Sequence, residues 1–590
     1  MRRVPADLRS RAMIVAFAFI VATRIAALPG GPWEFDEPLF FGALHHYSPV
    51  DHNPPPPGYP LFILTAQAVK AIAGDDFITL VAVSFIASLI GFVLLALAFR
   101  NIAGDLMTGI AGATLFYMSP GLLLHSTLPI SDPGALMLLS ATIFLGTRAG
   151  EPPAPTQRQA VLFAIFAAAT VGWRPQFSII VLPLFFTTLV LMRSWRARVH
   201  ALIAFTITCI LWLIPLAVAV GGIKELFLFE TGQAQYLAAQ DADESRGNWS
   251  AARIAVRFIA HPWGTKWLAA PILLLALIGL WRLARHRTRA FLPIAIAGAV
   301  YLAFALAVMD PADGVRYALP FTLVASLLAG AGTRNRRIPI AALVAGFSIG
   351  SIAYVGPHLV ERRTTISPPM RAVAFAKTFP PNAVVLYDQA LWPHSRFFLQ
   401  RFHPRRVDLG MNEYADRPDV PLFILADGFS NLPGTRTFEW TLFDAYSKLT
   451  RNHYRVVSVS PLPPERRFVT GAGVYPPERT PDGEEWRWLT EEAVIRLPHL
   501  EGKSVARLRL GLPVSYPFED NVLRVFVDDR LASTVPLRKA TSVTIDVPLP
   551  RPGAAVRFEA QRSFVPMELP GTLFRDPRRL AVKLYGIELR

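Results

Sequence analysis

Asp36 and Glu37 are neighbouring acids in the first polar segment after the first apolar run, and that segment continues through His52 and four prolines at 54–57 to Gly58 and Tyr59. Further along, Asp132 lies between Ser131 and Pro133, Arg174 sits at a turn between two apolar runs, and Arg316 and Tyr317 open a late one. Acids and arginines of this kind suit transfer of a group onto a hydroxyl. A carboxylate removes the hydroxyl proton as the oxygen attacks, and a fixed guanidinium neutralises a departing phosphate. A single direct displacement of this sort inverts the configuration of the carbon attacked, because no covalent intermediate with the protein intervenes.

The elements that must position these residues are membrane helices. A chain of 590 residues that is 52% hydrophobic cannot be wrapped into one soluble core. Apolar runs crowd residues 12–354, whereas the remainder alternates apolar and charged residues in the manner of a soluble region. The net charge of +16 does not point to nucleic acid, because the arginines gather in short loops between apolar runs: Arg193, Arg196 and Arg198, then Arg282, Arg285, Arg287 and Arg289, then Arg334, Arg336 and Arg337. Such clusters mark cytoplasmic loops. The first apolar stretch follows Arg2, Arg3, Arg9 and Arg11 without a small-x-small exit, so it reads as an uncleaved helix with a cytoplasmic N-terminus. The lone cysteine, Cys209, rules out an internal disulfide.

Eleven crossings are expected, at 12–28, 77–99, 106–124, 133–147, 160–173, 177–192, 201–220, 267–283, 291–309, 317–331 and 338–354. Residues 58–73, with Gln67 and Lys70, are too few and too polar for a crossing and read as a helix in the outer interface. This count puts every arginine cluster inside. It puts Glu34, Asp36, Glu37 and Asp51, then Asp132, Arg174, Asp310, Asp313, Arg316 and Tyr317, on the outer face of a cell (inner) membrane. A long outer segment at 221–266 adds Glu230, Tyr236, Asp241, Asp243 and Glu244. Charges gathered at outer span ends suit transfer of a sugar from a lipid-phosphate donor at the membrane surface.

The chain resembles the type C superfamily of lipid-linked sugar transferases, in the branch of protein O-mannosyltransferases and lipid A aminoarabinose transferases. The resemblance rests on an ordered set spanning about residues 11–357: Asp36-Glu37 after the first span, Pro56-Pro57-Gly58-Tyr59, Ser119-Pro120 followed by Asp132, and Arg316-Tyr317-Ala318-Leu319-Pro320 opening a late span. It implies a polyprenyl-phosphate sugar as donor, Asp36 as base, Glu37 and Asp132 as groups that orient acceptor or base, and an outer-face arginine on the donor phosphate. A family lysine that precedes the prolines is missing, and Asn53 and His52 stand there instead, which leaves His52 or Arg174 for the phosphate.

Plainer roles exist for the same residues. Ser131-Asp132-Pro133 is a good helix start, Arg174 and Arg316 suit headgroup contacts, and the prolines suit a stiff extended connector. His45, His46 and His52 raise the question of a divalent cation, but their spacing matches no defined metal site, and no cofactor is implied beyond the donor. After the membrane domain (1–357), a small α/β domain is expected at 358–454 and a β-sandwich at 455–590, the latter similar to carbohydrate-binding-like modules appended to bacterial glycosyltransferases. Trp486 and Trp488 are either glycan-docking aromatics or core. The expected partners are membrane lipids, the donor, and a glycan, lipid or protein acceptor. Two other classes fit an α-helical polytopic protein: a transporter or flippase of a lipid-linked or glycan substrate, and a non-catalytic glycan-binding membrane protein. The first normally shows mid-span ionisable groups and paired repeats, and the second leaves Asp36 dispensable.

Overall fold

The computed structural model describes residues 6–150, 156–236, 249–286, 288–333, 340–441, 449, 454–480, 483–569 and 576–590. Expected features at Asp241, Asp243, Glu244, Arg287, Arg334, Arg336 and Arg337 lie outside the described residues. The chain divides into two units, residues 1–366 with 442–452, and residues 367–441 with 453–590.

The first unit is helical. Its elements are α1 (Ala6–Ala26), α2 (Glu37–His45), α3 (Pro60–Ala73), α4 (Asp76–Ala103), α5 (Leu106–Tyr117), α6 (Pro120–His125), α7 (Asp132–Gly150), α8 (Gln157–Trp173) and α9 (Ser178–Leu191). They continue as α10 (Trp195–Ala219), α11 (Ile223–Tyr236), α12 (Ala251–Ile259), α13 (Lys266–His286), α14 (Thr288–Val308), α15 (Gly314–Tyr317), α16 (Leu319–Thr333) and α17 (Ile340–Thr364). Polar residues at the run ends start them. Asp75 accepts from the Ile78 amide at the head of α4, Asp105 from Thr108 at α5, Ser194 from Ala197 at α10, and Thr156 with Gln159 forms a capping box on α8.

Among the described residues five helices, α4, α10, α13, α14 and α17, are individually long and apolar enough to cross a membrane. Each expected crossing falls on a helix, but the one expected at 106–124 is interrupted at Met118 and Ser119 into α5 and α6. The fourteen residues of α3 reach only about 21 Å at ~1.5 Å per residue, short of a hydrocarbon core ~30 Å thick. Helix α17 runs to Thr364, past the boundary expected at 357. Packing pairs α4 with α7, α13 with α16, and α8 with α10. The α13–α16 contact depends on missing side chains: a Cβ on Gly279 would strike the Leu328 carbonyl, and one on Gly332 the Leu275 carbonyl. Close backbone approach of this kind replaces the hydrophobic drive that lipid does not supply.

The second unit begins with helix α18 (Pro368–Ala376) and a mixed sheet ordered β2-β1-β3-β5-β4, from β1 (Val384–Tyr387), β2 (Arg405–Arg406), β3 (Leu422–Asp427), β4 (Arg436–Glu439) and β5 (Val456–Leu462). Helices α19 (Trp392–Phe398) and α20 (Val407–Tyr414) interleave with it. Strands β1, β2 and β3 run parallel, and β5 returns antiparallel with Leu422 opposite Leu462. Strand β5 therefore completes the α/β sheet, although it lies beyond 454, where the sandwich was expected to begin.

The sandwich follows from β6 (Val469–Thr470), β7 (Val474–Arg479), β8 (Glu485–Leu489), β9 (Glu492–Arg496), β10 (Val505–Leu512), β11 (Asp520–Val527), β12 (Arg530–Arg538), β13 (Thr541–Pro548), β14 (Ala555–Ala560) and β15 (Val582–Leu589). They form two five-stranded antiparallel sheets, β13-β10-β15-β8-β7 and β12-β11-β14-β9-β6. Alternation sets which side chains face inward: Ala506, Leu508 and Leu510 are buried while Arg507 and Arg509 point away. One apolar cluster runs from Val384 and Leu422 of the first sheet to Leu508, Val556 and Leu584, which ties the α/β and sandwich portions into one body.

Candidate active site

Asp132 opens α7 and is 4% exposed at its side chain. Its Oδ2 accepts from two guanidiniums: Arg174 Nη1 at 2.9 Å, just past the C-terminus of α8, and Arg316 Nε at 3.0 Å, on α15. Arg316 Nη1 then reaches Asp36 Oδ2 at 3.4 Å across 280 residues of chain. A line Asp36–Arg316–Asp132–Arg174 results. Its members are buried except at one end, where Asp36 retains 27% side-chain exposure against 9% for Arg316. Two carboxylates and two guanidiniums cancel in formal charge, which is how four ionised groups persist in a poorly hydrated place.

The line is braced from several elements. Arg174 also donates to Ser131 Oγ at 2.7 Å, and Trp173 Nε1 donates to the Ser131 carbonyl at 3.0 Å. Tyr59 lies under the Arg174 guanidinium, 5.9 Å from ring centroid to Cζ, and its hydroxyl accepts from Gln176 Nε2 at 3.1 Å. Tyr59 holds a left-handed backbone at φ 45°, a conformation costly for a non-glycine residue, at the head of α3. Edge-on contacts from Tyr59 to Phe40 and from Phe40 to Phe62, then a tilted one from Phe62 to Trp173, fasten α2 and α3 beneath it. The Tyr317 carbonyl accepts from Tyr301 Oη at 2.8 Å, which anchors the turn carrying Arg316.

No protein-family model and no curated protein sequence matches this chain. Solved structures do. ArnT from Cupriavidus metallidurans bound to undecaprenyl phosphate superposes with a TM-score of 0.51 at 12% identity, over 77% of this chain and 98% of that one. The chain shares the fold of that protein. Arabinofuranosyltransferase AftD from Mycobacteria aligns at a TM-score of 0.40 and 12% identity, covering 100% of this chain and 59% of its own.

Within this fold the remaining expected residues take other places. Glu37 is fully buried, and its Oε2 accepts from the Trp33 amide at 2.6 Å, so it fixes the entry to α2 and stays outside the ionic line. Burial, with Glu34 near, pushes its carboxyl well above the usual carboxylate range. His52 is exposed and ends a short turn in the left-handed region. The prolines do not form an extended connector, because Ser48 bridges to Asn53 and the Gly58 amide donates to Pro55, which folds the segment compactly. His45 and Lys70 instead pair with Asp76, tying α2 and α3 to α4. Among the described residues no group of three or more His, Cys, Asp or Glu is placed to hold a metal.

One residue the sequence did not single out is Arg257 on α12. It donates to the carbonyls of Pro311 and Ala312, at 3.0 and 2.6 Å, and so holds the loop that delivers Arg316. Its only advance signal was an arginine on the apolar side of a short helix.

Proposed function

We propose that this membrane protein is an inverting glycosyltransferase that moves a sugar from a polyprenyl-phosphate donor to a hydroxyl on the extracytoplasmic face, with Asp36 as general base. The observation that carries the reading is the graded exposure of the ionic line, with Asp36 at its accessible end. Asp36 takes the acceptor proton as the oxygen attacks the anomeric carbon, the sugar–phosphate C–O bond breaks, and the leaving phosphate gains one negative charge. At that moment the line loses one negative charge through protonation of Asp36 and becomes net positive. The 3.4 Å link from Arg316 is its longest, so that guanidinium is the one free to turn toward the phosphate. Arg174 is held by both Asp132 and Ser131 Oγ, which makes it a positioning group rather than a phosphate ligand. The undecaprenyl phosphate in the ArnT structure supports a polyprenyl-phosphate donor here.

The test is purified protein incubated with a panel of radiolabelled polyprenyl-phosphate sugars. Label should leave its carrier for at least one donor. Asp36→Asn should lower that rate by about 10³-fold, within the range for losing a general base, with the melting temperature unchanged. A chain that releases no label from any donor is not a transferase of this kind, and one whose Asp36→Asn variant keeps full rate does not use this base.

A further inference from the structure

Arg362 stands in the last turn of α17 and has no exposed surface, so it is not a headgroup anchor. Its Nη1 donates to the Leu124 carbonyl near the end of α6, and its Nη2 donates to the Ala27 carbonyl just past α1 at 2.7 Å and to Thr127 Oγ1 at 3.3 Å. Thr127 Oγ1 in turn donates to the same Ala27 carbonyl at 2.7 Å. Carbonyls at a helix C-terminus lack partners within the helix and carry the negative end of its dipole. Two such ends brought together bare repel each other, and a planar guanidinium between them joins them instead.

The backbone of the same turn completes the junction. The Gly30 amide donates to the Arg362 carbonyl at 3.0 Å, Arg363 Nη1 donates to the Ile25 carbonyl at 3.2 Å, and a Cβ on Gly30 would strike the Arg363 carbonyl. At the other end of α6, where α5 gives way to it, Arg24 of α1 donates to the Tyr117 carbonyl. The two stretches of chain that leave this junction are those that carry the acids. Residues 27–36 lead from the Ala27 carbonyl to Asp36, residues 124–132 lead from Leu124 to Asp132, and the two acids meet again at Arg316. The 3.4 Å contact between Arg316 and Asp36 is the longest in the line, so it responds first to any change in the spacing of the two stretches.

We infer that Arg362 is a positioning residue for the transfer: it fixes the junction from which Asp36 and Asp132 both extend and so sets the distance between the base and Arg316. The inference rests on the reaction proposed above. Arg362 acts through backbone carbonyls at the roots of both stretches, so disturbing it slows the chemical step and leaves donor binding in place.

The full chain in nanodiscs, with a donor that the parent accepts, tests it. Arg362→Lys keeps the charge and loses the planar fork, while Gly30→Ala pushes the stretch 27–36 off α17 without touching a charge. In each folded, monodisperse variant kcat should fall by about 10- to 10²-fold with donor KM within about twofold of the parent, as for a displaced base. A merely structural role would lower the melting temperature and leave kcat per folded molecule alone. Hydrogen exchange should quicken in 27–36 and 124–132 together and stay as in the parent elsewhere in the helical unit. In an Asp36→Asn background, Arg362→Lys should cost no further rate, because both changes disable one proton transfer. Should Arg362→Lys not fold, Gly30→Ala alone decides. Folded variants with kcat within about threefold of the parent overturn the inference, as does unchanged exchange in either stretch or a full additional loss in the Asp36→Asn background. A parent that releases no label from any donor is a separate result, which defeats the proposed reaction and this role with it.

Discussion

Asp132 is the residue whose charge the rest of the line cannot do without. Two guanidiniums share its Oδ2, and both are nearly sequestered from solvent. Replacing it with asparagine leaves Arg174 without a carboxylate in contact and Arg316 with only the distant Asp36. The expected loss is about 3 kcal/mol of stability, as for one partner removed from a buried pair, read as lowered detergent-phase thermal unfolding, with transfer activity falling as well. A variant that melts like the parent would show that the line is hydrated enough to be dispensable. Asp36, Asp132, Arg174 and Arg316 could each be picked from the sequence as polar residues at run ends, yet nothing in the spacing said that one carboxylate would serve two arginines. Nor did adjacency reveal that Asp36 and Glu37 part company. A helix start turns successive side chains by about 100°, which puts Asp36 toward Arg316 and Glu37 into the interior against Trp33.

Helices set the sidedness. Asp36 and Asp132 contact one guanidinium, so the chain between them crosses the membrane an even number of times. A topology test follows from the single native cysteine. In a Cys209→Ala background, Val50→Cys should react with an impermeant maleimide added outside intact cells, and Arg196→Cys only after permeabilisation. The reverse pattern would place the ionic line on the cytoplasmic side and defeat the proposed reaction. Packing is testable at the same scale. Gly279→Val pushes side-chain atoms into the Leu328 carbonyl and should prevent α13 from seating on α16, seen as aggregation or loss of monodisperse protein in detergent. Gly346→Ala is the control on α17, since a Cβ there meets nothing within 4 Å, and it should behave as the parent.

At the scale of the whole molecule, the soluble unit carries its own acid pair. Asp388 follows β1 and accepts from the Asp427 amide at the end of β3, while Asp427 accepts from the Tyr454 amide at 3.0 Å. Burial, and then the neighbouring Asp388, push the Asp427 carboxyl up to about 7 from an ordinary value of 3.8. The folded unit therefore keeps a proton that the unfolded chain has already released, and stability falls as pH rises from about 4 through about 7. Between pH 5 and 8 the unit should lose on the order of 2 kcal/mol, and Asp427→Asn should flatten that slope in a pH series of melting temperatures. A slope unchanged by the substitution would assign it to other groups. The sequence by itself determined that the apolar helices lie within residues 12–354, that the C-terminal part is α/β followed by β, and which polar residues stand at helix ends, because hydrophobic periodicity and end-capping chemistry are local properties of the chain. Tertiary structure alone decided that Arg316 joins Asp36 to Asp132, that Arg257 holds the loop leading to Arg316, that β5 pairs with β3, and that Trp486 borders a cavity while Trp488 fills a core. Those are contacts between residues tens to hundreds of positions apart, fixed by which helix and sheet faces pack together, and no local pattern encodes them.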